Sequence, residues 1–99
     1  MFEADKPIYI TRAVAEELPD EHKHFIVQYL HGCQEILNDY FQVFEFSVNE
    51  NKQLLRWKQE QPQRETQIFV RLKETKPISR TVWVMDQVDH VMILFPEDY

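Results

Sequence analysis

The fold is decided by residues 18–38, which read LPDEHKHFIVQYLHGCQEILN. Placed at about 100° per residue, the apolar side chains of this stretch share roughly 140° of arc, and polar side chains fill the rest. The apolar set comprises Phe25, Ile26, Tyr29, Leu30, Cys33, Ile36 and Leu37. This period predicts an amphipathic helix over residues 19–38, which begins at Pro19 and has one face to bury.

The single glycine of the chain, Gly32, falls inside this predicted helix, just off its apolar stripe. A glycine there costs the helix about 0.5–1 kcal/mol relative to alanine. It marks either a close approach by another group or a weak point that the helix tolerates. Both interpretations stay open at this stage.

Residues 1–18 are predicted to form an N-terminal arm. Residues 7–10 read as a short extended segment, and Thr11 suits the N-cap of one or two helical turns that end before Leu18. Leu18 and Pro19 then reset the direction of the chain.

Residues 40–95 alternate apolar and polar side chains, which predicts strands near 40–48, 53–59, 65–73, 80–86 and 90–95. Their connections are short, whereas parallel pairing needs a crossover of about a dozen residues. We therefore predict one α+β domain over residues 1–99, in which the amphipathic helix packs on a five-stranded, mainly antiparallel meander sheet.

A second apolar surface follows from the same alternation. One helix of about 19 residues is roughly 28 Å long and can cover only one face of such a sheet. Five apolar residues fall on the opposite strand positions, and they form the candidate interface: Phe41, Val43, Phe69, Trp83 and Met85. We expect this patch to contact a protein partner or a second copy, unless the N-terminal arm folds over it.

The net charge of −6 is unevenly distributed, with ten acids and three bases in residues 1–50 and seven acids and eight bases in residues 51–99. This balance argues against a broad nucleic-acid-binding surface. An alternative function is an acidic decoy for a DNA-handling protein, with a phosphate-like row made by Glu3, Asp5, Glu16, Glu17, Asp20 and Glu21. A third possibility is a single-strand-binding platform made by Arg56, Lys58, Arg64, Arg71 and Lys73 around Trp57 and Phe69.

Patterns that would carry catalysis or bind a metal are weak. His24 and His31 are about 10.5 Å apart on a helix, too far for one ion, and Asp86, Asp89 and His90 read as turn formers. One glycine cannot build a phosphate loop, and the single cysteine, Cys33, lies on the apolar stripe. We expect no catalytic residue, no metal and no cofactor, and a non-enzymatic, cytoplasmic protein without membrane or direct nucleic-acid binding.

Three segments carry a resemblance to a known family: YITRAV at residues 9–14 with EELP at 16–19; DYFQVFE at 39–45; and VWVMD at 82–86 with Asp89, His90 and a closing EDY at 97–99. Together they resemble domain of unknown function 960, a small family of staphylococci, related Gram-positive bacteria and their phages. Ala13 stands where the family pattern has glycine. The resemblance implies a cytosolic Firmicute or phage origin and no activity.

Overall fold

The structure is a computed structural model that describes residues 1–99 as a six-stranded mixed sheet with its helices packed on one face. Its elements are β1 (Ile8–Ile10), α1 (Arg12–Glu17), α2 (Asp20–Gly32), β2 (Phe41–Asn49), β3 (Lys52–Glu60), β4 (Gln63–Val70), β5 (Arg80–Asp86) and β6 (Val91–Leu94). Short 3₁₀ turns cover Gln34–Ile36 and Pro96–Asp98. The predicted α+β class with one main helix is confirmed. No helix combines the length and apolar content needed to cross a membrane.

The main helix is shorter than the predicted span of residues 19–38. It starts at Asp20, one residue after the predicted start, with Pro19 as its N-cap. It ends at Gly32, and Cys33 leaves the helical region with φ −122°. The 3₁₀ turn over Gln34–Ile36 then directs Leu37 into the core. The apolar period therefore continued past the point where the backbone stopped being α-helical.

The strand order is β1-β6-β5-β2-β3-β4, which corrects the predicted meander. Strands β2, β3 and β4 follow one another as antiparallel neighbours, but β5 returns beside β2, and β6 pairs with β5. This order places Val82 and Val84 of β5 at the centre of the sheet, where both are fully buried. Polar β4 stays at the edge, where its exposed side chains need no cover.

The N-terminal arm adds a sixth strand instead of covering the second apolar surface. β1 runs parallel to β6, with Ile8 opposite Val91 and Ile10 opposite Ile93. Phe2 is buried in the main core, and the side chain of Gln34 donates a hydrogen bond to its carbonyl oxygen. The arm is therefore part of the sheet and of its core side.

The two faces of the sheet have different environments. The core face packs against α1 and α2 through a cluster that includes Val14, Leu18, Ile26, Leu30, Phe44, Phe46, Leu55, Trp57, Val82, Val84, Val91 and Ile93. The other face, which we call the open face, carries the alternate residues of each strand and has no helix over it. Of the two faces, the open face is therefore the one that can receive a partner.

Candidate protein-interaction surface

Four of the five candidate interface residues meet on the open face. In the β2–β5 ladder, Phe41 lies opposite Met85 and Val43 lies opposite Trp83. The rings of Phe41 and Trp83 contact edge to face, with centroids 5.1 Å apart. The C-terminal Tyr99 adds a third ring 6.0 Å from that of Trp83. Strand register therefore gathers these side chains into one aromatic group.

The same surface continues across the sheet towards β1. Leu94 of β6 lies opposite Trp83, and Met92 lies between Met85 and Tyr9 in the ladder. We call this set the aromatic patch: Tyr9, Phe41, Val43, Trp83, Met85, Met92, Leu94 and Tyr99. Met85 is only 7% exposed whereas Tyr99 is 81% exposed, so a fixed apolar base carries an accessible aromatic rim.

Phe69 does not belong to the aromatic patch. It lies on the open face of β4, opposite Leu54, which in turn lies opposite Ser47. Because Ser47 is four residues beyond Val43 on β2, Phe69 lies about 13 Å further along the strand direction and two strands away. Its ring is 60% exposed and lies 5.9 Å from the ammonium group of Lys52.

A charged strip separates Phe69 from the aromatic patch. Lys58 pairs with Glu45 at 2.9 Å, and Arg56 pairs with Glu65 at 3.5 Å. Beside the strip is a depression of about 420 Å³, which is lined by Phe41, Val43, Lys58, Gln59, Glu60, Gln63, Arg64 and Glu65. The two ion pairs neutralise the strip, so the open face carries little net field.

The acids of the decoy alternative are mostly engaged within the chain. Four form ion pairs: Glu3 with Lys6 at 2.8 Å, Glu16 with Arg12 at 2.9 Å, Glu17 with Arg80 at 2.6 Å, and Asp20 with Lys23 at 3.3 Å. Glu21 accepts hydrogen bonds from the backbone N–H groups of Lys73, Glu74 and Thr75 and from the Thr75 hydroxyl. Five of the six acids therefore have a partner within the chain, and the four in ion pairs have side chains that are 52–95% exposed.

The hydrogen bonds to Glu21 also set its ionisation. The Thr75 hydroxyl and the backbone N–H groups of residues 73–75 lower the pKa of Glu21 from its usual 4.5 to about 2, against the opposing effect of desolvation. Glu21 thereby ties the first turn of α2 to the loop after β4. This contact fixes the loop that leads from the edge strand back to the centre of the sheet.

The single-strand platform lacks its central aromatic residue. Trp57 is 1% exposed and lies on the core face, where its indole N–H donates to Gln42 at 2.6 Å. Trp57 is therefore not available to stack on a nucleobase. Two of the basic residues of the platform, Arg56 and Lys58, already pair with carboxylates.

The residues considered for metal binding and catalysis, together with a further histidine, His22, are dispersed over the structure, and His24 and His31 are both exposed. His22 is fully buried, with Nε2 2.9 Å from the Gln53 side-chain oxygen and its ring edge to face with Phe46. His90 contacts Asp89 at 2.7 Å on the surface, and Cys33 is a free, half-buried thiol. No three ligating side chains lie close enough together to hold one ion.

Asp86 anchors the N-terminal arm. Its carboxylate accepts hydrogen bonds from the Lys6 ammonium group at 2.8 Å, the Phe2 backbone N–H at 2.7 Å and the Val88 backbone N–H at 2.9 Å. Burial alone would raise the pKa of Asp86, but these donors outweigh it and hold the pKa below its usual value. Asp86 is an anchor for backbone and arm, where the sequence suggested only a turn former.

Buried glutamines are the structural feature that sequence reasoning missed. Gln42 donates to the carbonyl oxygen of Asp39 and to the side chain of Gln59, both at 2.8 Å, and accepts from Trp57. Gln53 similarly bridges Ser47, Ile78 and His22. The alternation of each strand could have revealed them. Gln42 shares the core face of β2 with Phe44 and Phe46, and Gln53 shares that of β3 with Leu55 and Trp57.

A family model described as "Staphylococcal protein of unknown function (DUF960)" matches residues 8–98. The chain belongs to this family. A search of curated proteins gave no match. The chain is also similar to a solved structure described as the "protein of unknown function from Enterococcus faecalis", with a TM-score of 0.86 and 20% identity over 99% of this chain and 94% of that one. At this identity, the similarity establishes the fold.

The segments that carried the family resemblance have architectural roles. Thr11 accepts from the Val14 N–H as the N-cap of α1 and donates its hydroxyl to Asp98 at 2.8 Å, which joins the first segment to the last. Asp39 accepts hydrogen bonds from the backbone N–H groups of Phe41 and Gln61. Asp86 accepts them from those of Phe2 and Val88. Ala13 lies inside α1 without a positive φ, so this position places no demand for glycine. These contacts give several residues of the three segments a role in folding.

Proposed function

We propose that this protein is a small, non-enzymatic interaction protein that binds another protein chain through the aromatic patch. One observation carries the proposal: the Trp83 ring lies between those of Phe41 and Tyr99 on the face of the sheet opposite the helices, and Tyr99 is 81% exposed. Contiguous exposed apolar surface is a common mark of a protein interface.

The build of the patch supports this role. Tryptophan and tyrosine dominate the energetics of protein interfaces, especially at the centre of a contact. Strands β2, β5 and β6 hold the backbone of Phe41, Trp83 and Leu94 in fixed register, so binding need not order the backbone there. Both apolar contact and a rigid base are therefore in place before a partner arrives.

The contacts of the polar groups favour binding over catalysis. Ion pairs within the chain already engage the charged side chains of the strip beside the patch. The His22 side chain is buried in the core with Nε2 against Gln53, and Asp86 binds the N-terminal arm. The decoy alternative has less support, because five of its six carboxylates have partners within the chain. A free thiol at Cys33 supports a reducing, cytoplasmic location.

The proposal can be tested with three immobilised baits: the wild type, Trp83→Asp and the control Val48→Asp. Val48 is a half-exposed apolar residue at the far end of β2, outside the patch, so its variant matches the chemical change without altering the patch. Each bait is incubated with lysate of a Gram-positive bacterium and washed at low and then at moderate salt. Bound proteins are identified and bound nucleic acid is quantified.

We expect the wild type and Val48→Asp to retain the same protein at moderate salt, and Trp83→Asp to lose it while keeping its near-ultraviolet circular dichroism. An apolar contact is insensitive to salt, whereas a charge-dominated decoy complex weakens steeply. Release of the partner by salt alone would contradict the proposal and favour the decoy. Equal retention by Trp83→Asp would remove the patch from consideration.

A further inference from the structure

The two edges of the sheet differ in how they are protected. The β1 edge is three residues long and leads directly into the N-cap of α1. The β4 edge is eight residues long, and its ladder with β3 runs unbroken from the Gln53–Val70 pair to the Glu60–Gln63 pair. Natural sheets usually protect long edges with lysine, proline, a bulge or a covering element. The β4 edge, QRETQIFV, has no lysine, proline or bulge, and its two charged residues, Arg64 and Glu65, are of opposite sign.

The side chains of β4 suit pairing as well as its backbone does. Alternate residues of an edge strand point N–H and C=O groups away from their neighbour, so β4 presents a row of unpaired donors and acceptors. Arg64 and Glu65 are its only charged residues, which makes the edge neutral in a chain of net charge −6. Three consecutive apolar residues, Ile68, Phe69 and Val70, complete it.

We propose that β4 pairs antiparallel with β4 of a second copy about a two-fold axis at Thr66, joining two six-stranded sheets into one. In this register Gln63 lies opposite Phe69, Arg64 opposite Ile68 and Glu65 opposite Gln67. No like charges face each other, and the aliphatic stem of arginine covers Ile68. The strand is thus complementary to itself. Self-complementarity is needed for pairing with a second copy, whereas pairing with an unrelated peptide would not require it.

Neighbouring registers are less favourable. Centring the axis on Glu65 would set two carboxylates opposite each other, and centring it on Gln67 would set Glu65 against the ring of Phe69. A shift by one residue between the strands would exchange the two faces of the sheet. The Thr66 register avoids all three problems.

The pairing is independent of the proposed function but compatible with it. A two-fold axis perpendicular to the sheet keeps both open faces on the same side. The aromatic patch lies on β1, β6, β5 and β2, away from β4, and stays accessible in both copies. The dimer would therefore present two aromatic patches on one surface, which raises the apparent affinity for a partner with two sites.

Charge reversal at the axis tests the proposal. Thr66 is exposed, so Thr66→Lys and Thr66→Glu should both fold. Each substitution alone places like charges opposite each other across the axis, and we expect a dimer dissociation constant about fivefold above that of the wild type at low salt. An equimolar mixture brings lysine opposite glutamate and should restore dimerisation. Sedimentation velocity across a concentration series measures all four samples.

The proposal predicts that the wild type dimerises, that both single variants are weakened and that their mixture recovers. A wild type that stays monomeric at every concentration would overturn it, as would variants that dimerise as the wild type does or a mixture without recovery. Dimerisation lost in Trp83→Asp but kept in both Thr66 variants would also overturn it, because the contact would then belong to the aromatic patch. These outcomes separate this inference from the proposed function.

Discussion

Asp86 and Phe2 are 84 residues apart in sequence, yet the Phe2 backbone N–H donates a 2.7 Å hydrogen bond to the Asp86 carboxylate. The same carboxylate pairs with Lys6, and its side chain is only 4% exposed. This contact draws the N-terminal arm to the core side and edge of the sheet, where β1 pairs with β6. The arm thereby extends the sheet as β1, and its Tyr9 lies beside Met92 in the aromatic patch instead of covering the patch.

Replacement of Asp86 by asparagine should destabilise the protein by about 2–3 kcal/mol, because Lys6 loses its buried partner and an amide nitrogen faces other donors. Urea denaturation measures this change, and hydrogen exchange should show β1 opening faster than the other strands. The control is Asp89→Asn, an exposed carboxylate in the same hairpin, whose effect should stay within about 0.5 kcal/mol. Equal losses in both variants would contradict the anchoring role.

The Glu21 contact predicts a dependence of stability on pH. Its folded pKa of about 2 lies below the usual 4.5, so its stabilising effect is fully present above pH 4.5 and is lost as the pH falls towards 2. Glu21→Gln should therefore be less stable than the wild type at neutral pH, and the difference should shrink as the pH falls through this range. Urea denaturation at several pH values measures it. Glu74→Gln, which removes the same charge in the contacted loop, should show no such convergence.

The buried contact between Gln42 and Trp57 predicts a coupled effect. Gln42→Leu leaves the indole N–H of Trp57 without an acceptor and should cost about 2 kcal/mol. In a Trp57→Phe background that donor is gone, so the same substitution should cost less by about 1 kcal/mol. A double-mutant cycle from denaturation curves measures the coupling. Strict additivity would show that the hydrogen bond contributes nothing.

Gly32 predicts a stabilising substitution. No atom lies within 4 Å of the position that a Cβ would occupy there, so the glycine serves no close approach and is a tolerated weak point of α2. Gly32→Ala should raise the free energy of unfolding by about 0.5 kcal/mol. Thermal and urea denaturation measure the gain. A loss of stability would mean that the end of α2 requires glycine for its conformation.

The strands of the antiparallel sheet were predictable because their signal is local. A period of two residues fixes which side chains share a face, and β5 was located at residues 80–86 from sequence alone. The same alternation separated Val82 and Val84 from Trp83. It placed all five candidate interface residues on one face, as the structure does. Position along neighbouring strands depends on register, so the distance of Phe69 from the other four was not predicted.

The remaining features depend on contacts between distant parts of the chain. Three residues at 8–10 are too few to show a period, so the parallel pairing of β1 could not be predicted. β5 could have paired with β4, the strand that precedes it in the chain. It pairs with β2 instead, and there Val82 and Val84 are fully buried. Gln42, Gln53 and Gln59 read as polar surface residues, whereas their hydrogen-bond partners lie up to 31 residues away.

The most direct test of the central claim is the fraction of partner protein that Trp83→Asp retains at moderate salt, relative to Val48→Asp. The aromatic patch account predicts that Trp83→Asp retains less than about a tenth of the control, because a central tryptophan contributes about 2 kcal/mol or more to such contacts. Circular dichroism must show that both variants are folded. Equal retention by the two folded variants would contradict the account.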